Sequence, residues 1–181
     1  MKKIKATLGM LLLTTLTMSF TDPGDWILFT TKDCKISFPK KPSEQSQILN
    51  TAIGQLQLNI YSYEADDNEK DDNLVYMLME TAYPDSVINS DKKEMLENFF
   101  RKSIDGAVNN VHGKLLTESI IQYEDFPGRE VRVDFRDGLA VIKMRFYLVK
   151  NKMFVIQTIT DTKNDFNKSI DKFMDSFQLV N

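Results

Sequence analysis

The chain has 181 residues, with 23 basic and 26 acidic side chains, one histidine, one cysteine and a formal net charge of −3. One cysteine excludes an internal disulfide, and one histidine with one cysteine leaves a zinc site of the usual kind without ligands. The acidic balance argues against nucleic acid and anionic membrane as partners, which both select clustered positive charge.

The first residues, Met1-Lys2-Lys3-Ile4-Lys5, are basic, and an apolar run follows from Ala6 to Met18. This is the pattern of a secretory leader, too short to span a bilayer as a helix. Residues 1–19 are therefore expected to be a signal peptide cut after Ser19, or after Thr21 at a second suitable site. Residues 20–181 are then one globular domain, exported to the periplasm or the medium, with no stable membrane insertion after cleavage. With the leader's three lysines gone, the 23 basic residues fall to 20 against 26 acidic, a net charge of −6.

Trp26–Thr30 and Cys34–Phe38 read as short strands around Thr31-Lys32-Asp33. Gln45–Asn50 and Gln55–Glu64 read as two more, joined near Gly54. In the second, Leu56, Leu58 and Ile60 share one face, and Gln55, Gln57 and Asn59 the other. The acidic run Glu64–Asn73 leads to a strand at Leu74–Tyr83. Carboxylates in that run could gather around calcium, but EF-hand spacing fails: Lys70 stands at the fifth ligand position and no glycine supplies the turn. The run is read as a solvated loop.

Asp91–Asn109 predicts a helix, with Met95, Leu96, Phe99, Phe100, Ile104, Ala107 and Val108 on one stripe. Asp91 and Glu94 have capping-box spacing. Lys114–Tyr123 reads as a strand, and Phe126-Pro127-Gly128-Arg129 as a type II turn. Glu130–Arg136 and Leu139–Lys150 flank Asp137-Gly138, a two-residue hairpin signal. That turn pairs Phe135 with Ala140, Val133 with Ile142 and Val131 with Met144, all apolar. A second turn at Asn151-Lys152 pairs Leu148 with Val155, and on the opposite face Val149 with Phe154. The apolar end of that opposite face also needs cover. Asn164–Ser176 predicts a second helix with Phe166, Ile170, Phe173, Met174 and Phe177 on its stripe, followed by a short strand near Phe177–Val180.

The order Phe38-Pro39 with Pro42, Phe126-Pro127-Gly128-Arg129-Glu130, Arg145-Phe146-Tyr147-Leu148-Val149 with Asn151, and Asp175-Ser176-Phe177 resembles exported bacterial proteins of the PsbP-like fold. The resemblance covers roughly Trp26 to Val180. It implies an antiparallel sheet sandwiched by helices, an α+β fold in agreement with the pattern above. It implies no catalytic residues and no cofactor. Proteins of the wider fold include an extrinsic photosystem II subunit and a small-GTPase-binding protein. No motif here matches either role, so the resemblance implies only binding or assembly rather than catalysis.

Candidate chemistry is sparse. Cys34 in an alternating strand suits a small buried hydrophobe. His112 beside Gly113 suits the end of a helix. A nucleophilic Cys34–His112 site is the sharper alternative. The best lead is basic: Arg132, opposite Lys143, with Arg136 and Arg145 on the same face. Either Glu130 and Asp134 neutralise this cluster, or it meets a small anionic ligand or the acidic surface of an envelope protein. The expected function is an exported, non-enzymatic binding or assembly module. The alternatives are an envelope hydrolase using carboxylates, or a carrier of a small apolar ligand. The nine Met and twelve Phe that suggest the carrier fall mostly on core stripes.

Overall fold

The structure is a computed structural model and describes residues 26–66 and 71–180. The expected leader, the centre of the acidic run and Asn181 lie outside the described residues.

Period-two patterning produces seven long strands: β3 (Ser43–Thr51), β4 (Gly54–Glu64), β5 (Val75–Ala82), β6 (Lys114–Tyr123), β7 (Phe126–Phe135), β8 (Ala140–Val149) and β9 (Lys152–Asp161). They form one antiparallel sheet in the order β3-β4-β5-β9-β8-β7-β6. Apolar side chains leave both faces, so both need cover. One face packs against α1 (Lys93–Asn110), where Phe100 and Ile104 meet Val131, Val133, Ile142 and Met144. On the other face, Tyr76, Leu78, Tyr147, Phe154 and Ile156 pack under α2 (Lys168–Asp175). A small sheet shares that cover: β1 (Ile27–Thr30), β2 (Cys34–Phe38) and β10 (Gln178–Leu179), in the order β1-β2-β10. The fold is α+β with two cores on opposite sides of one sheet.

The Asp137-Gly138 hairpin has the register its turn demands: Phe135 pairs with Ala140, Arg132 with Lys143 and Val131 with Met144. Asp137 and Gly138 take φ of 53° and 90°, the left-handed pair of a type I′ turn. The next hairpin departs from expectation by two residues. Its turn centres on Lys150-Asn151, with Lys150 at φ 53°, so Leu148 pairs with Met153 and Tyr147 with Phe154. The Lys150 carbonyl accepts from Ser90 N at 2.8 Å, and Asn151 Nδ2 donates to the Tyr83 carbonyl at 2.6 Å. These bonds to the 83–90 segment hold the turn in place. A shift of two keeps every side chain on its expected face, because sidedness alternates with period two.

Phe126-Pro127-Gly128-Arg129 is not a turn. The reversal is at Glu124-Asp125, with Glu124 at φ 51°, and Phe126 already pairs with Tyr123. Pro127 precedes the first β7–β8 pair, Gly128 with Tyr147, so its missing N–H costs no bond to β8. Gly128 is required by close approach: a Cβ there would lie 2.6 Å from the Phe146 carbonyl oxygen and 2.7 Å from the Tyr147 ring. Gly128→Ala is expected to cost about 1–3 kcal/mol in urea unfolding. An unchanged midpoint would mean that the two strands part freely.

Both helix starts also differ from expectation. Lys92 caps α1 without a side-chain bond, and the Asp91 N–H donates to Asn89 Oδ1 at 3.1 Å, so no capping box forms. The second helix begins at Lys168, capped by Asn167 Oδ1 accepting from Ile170 N at 3.0 Å. Residues before it form a 3-10 turn at Thr162–Asn164, and Phe166 falls outside the helix at φ 71°.

Candidate functional site

The basic residues expected to form a site are brought together only in part. Arg132, Lys143 and Arg145 project from the sheet face that α2 covers, and each meets a carboxylate. Arg132 pairs with Asp165, and its guanidinium lies 4.2 Å from the centre of the Phe166 ring. Lys143 is 3.6 Å from Glu130 and 3.7 Å from Asp171. Arg145 reaches Glu130 at 2.7 Å and Asp175 at 2.6 Å. Burial opposes the Arg145 charge, but the bonds to Glu130 and Asp175 outweigh it and hold the guanidinium's pKa above its ordinary value. Three cations thus meet four carboxylates, and the network ties α2 to the sheet. Asp134 is not a member, because its carboxylate accepts from Gly138 N at 2.7 Å inside the turn. Arg136 stands in the same turn, its guanidinium 5.0 Å from the Phe135 ring, which packs toward the α1 side.

Cys34 and His112 lie on different sides of the large sheet. Cys34 is fully buried in the α2-side core, and its thiol donates to Glu80 Oε1 at 3.2 Å. Burial pushes the thiol pKa up; the bond from Thr31 opposes it, and the nearby Glu80 carboxylate adds to the rise. A thiol so placed is a poor nucleophile. Glu80, also buried, accepts from Thr31 Oγ1 at 2.8 Å. His112, exposed at φ 50°, follows the C-terminus of α1 on the other side.

The open geometry is under α1. Arg129, buried on β7, clamps the helix through Glu97 at 2.5 Å and stacks 4.8 Å from the Phe100 ring. It holds α1 over β7 and β8. The same sheet face continues across β9, β5 and β4 without helical cover of that kind. There Leu58, Met77, Met79 and Val155 are only half-buried. Between them and the C-terminal half of α1 lies a cleft of about 470 Å³. Met144 and Met153 add to its floor, and Gly106 and Ala107 on α1 keep its wall low. A Cβ at Gly106 would meet nothing within 4 Å.

No family model matches this chain, and no curated protein matches it either. The cleft therefore has to be read from its own chemistry. Its volume and apolar lining fall in the range of small-molecule pockets, about 300–1,000 Å³. Four methionines suit an adaptable binding surface, because the thioether chain repacks readily. A second cleft of about 500 Å³ adjoins toward the N-terminal half of α1, and the two share Tyr83, Lys102 and Ser103. The sequence pattern placed Leu58 and Ile60 on one strand face. It carried no signal for how much of that face a helix would leave uncovered.

Proposed function

We propose that this chain is an exported, non-enzymatic binding module of PsbP-like architecture whose ligand is a small apolar molecule held under α1. The observation that carries this reading is the cleft between α1 and β4, β5 and β9, with half-exposed Leu58, Met77, Met79 and Val155 facing open space. Apolar side chains left open in a concave, preformed groove give a favourable burial energy to whatever displaces its water, about 25 cal/mol per Å². The leader-like first residues and the resemblance to a binding fold support export and a binding role.

Gly106 supplies a direct test. It is a mid-helix glycine, which costs roughly 1 kcal/mol against alanine, and it stands beside the void. Gly106→Phe should fill the cleft without strain. Titration with the fluorescent probe N-phenyl-1-naphthylamine is expected to show saturable binding to the unaltered protein. Binding to Gly106→Phe should be at least about tenfold weaker, with a thermal midpoint unchanged or raised. Equal binding by both proteins, or no saturable binding by either, would refute the reading.

A further inference from the structure

We infer that the cleft selects an anionic amphiphile, a free molecule with one apolar body and a single acidic head, and that Lys102 receives the head. This rests on the cleft being a ligand site and specifies what it takes. Among the described residues lining the cleft, Lys102 is the charged one, and it also lines the adjoining cleft. It stands where the two volumes meet, so one head group there can send an apolar body in either direction.

Among the described residues the ammonium is not committed elsewhere. The positions one turn away on α1 are Asn98 and Gly106, neither of them acidic. Asp105, three residues on, is held by Arg101 at 3.0 Å. Glu94, which lines the adjoining cleft, is eight residues back along the helix, about 12 Å away by helical rise. Among the described residues the Lys102 side chain makes no ion pair or hydrogen bond. This contrasts with Arg132, Lys143 and Arg145, whose charges are met by Asp165, by Asp171 and Asp175 of α2, and by Glu130.

Position also decides the energetics. Lys102 is exposed at the rim, while Met77, Met79 and Met144 lie on the cleft floor. A bound acid would keep its head in water beside the ammonium and bury only its apolar body. No charge is desolvated, so the large cost of burying an ion does not arise. A cationic head would meet Lys102 with repulsion. A neutral head would gain the apolar burial alone. Ser103 adds no donor, because its hydroxyl already donates to the Phe99 carbonyl at 2.9 Å. The discrimination by charge is therefore assigned to one side chain.

The test uses dodecanoate, dodecanol and dodecyltrimethylammonium, each below its micelle concentration, as competitors of N-phenyl-1-naphthylamine. The unaltered protein is expected to prefer dodecanoate to dodecanol by roughly fivefold, and to bind the cation more weakly than either. Lys102→Gln should abolish the preference without changing dodecanol binding, and Lys102→Glu should reverse it toward the cation. Equal affinity for dodecanoate and dodecanol, or a preference that survives Lys102→Gln, overturns the inference and leaves the apolar cleft standing. Failure of all three to displace the probe overturns the cleft reading and this inference together. Lys102-dependent binding to vesicles of anionic lipid, without binding of free dodecanoate, would overturn it in favour of a membrane surface.

Discussion

Val133→Asp is expected to unfold the protein or to destabilise it by about 3–5 kcal/mol, as an unpaired charge forced into a core. Val133 is fully buried on β7, between Leu115 of β6 and Ile142 of β8, and it faces the α1-side core. Among the described residues of β7 the one cation on that face is Arg129, which is held by Glu97 and Glu118. A typical domain has only about 5–15 kcal/mol in total, so the loss should be plain in urea titration. Ile120→Asp on the neighbouring strand is the control. Ile120 is 79 % exposed, and its replacement should stay within about 0.5 kcal/mol. A Val133→Asp midpoint close to that of Ile120→Asp would show that the hairpin register, and the face it assigns, are wrong.

Phe173→Ala should cost nearly as much, about 3–5 kcal/mol, from lost burial and the cavity left behind. Phe173 is fully buried where α2 meets the other core, with its ring 5.0 Å from Phe38 and 5.2 Å from Tyr76. Helix α2 has only eight residues, so its own hydrogen bonds cannot hold it without this packing. Phe166→Ala makes the comparison informative, because sequence periodicity places both residues on one stripe. Phe166 is instead 75 % exposed, outside the helix, with the Arg132 guanidinium over its ring. Its loss should cost about 1 kcal/mol or less. Similar costs for the two variants in calorimetry would mean that the helix begins earlier and that Phe166 packs in the core.

These contrasts mark what local pattern can and cannot reveal. The β7–β8 pairing was legible because Asp137-Gly138 admits one turn geometry, and a one-residue slip would expose a whole apolar set. The next register was not, because Lys150 takes the left-handed conformation without being glycine, held by bonds to residues far earlier in sequence. Pro127-Gly128 read as a turn because those residues punctuate chains. Here the glycine answers the approach of the Phe146 carbonyl, a long-range fact. Arg132 and Lys143 face each other across the hairpin, as the turn predicts. Of the basic cluster's carboxylate partners, Glu130 lay within reach of the pattern, but Asp165, Asp171 and Asp175 come from a segment whose docking no periodicity encodes. The cleft depends on where α1 stops covering the sheet, which is set by packing and by the Arg129 clamp rather than by any motif.

The small sheet has a consequence for how the chain is made. Strand β2 lies near one end of the described residues and β10 near the other: Lys35 pairs with Gln178 and Cys34 with Leu179. A growing polypeptide can assemble β3 to β9 and α1 as their residues appear. It cannot close the layer over Phe38, Tyr76 and Phe154 until residues 178–179 have been made. Until those residues appear the aromatic surface lacks its full cover, and exposed apolar surface of this kind makes folding intermediates prone to aggregate. Completion of this layer thus waits on a two-residue strand that lies more than 140 residues beyond its partner in the chain.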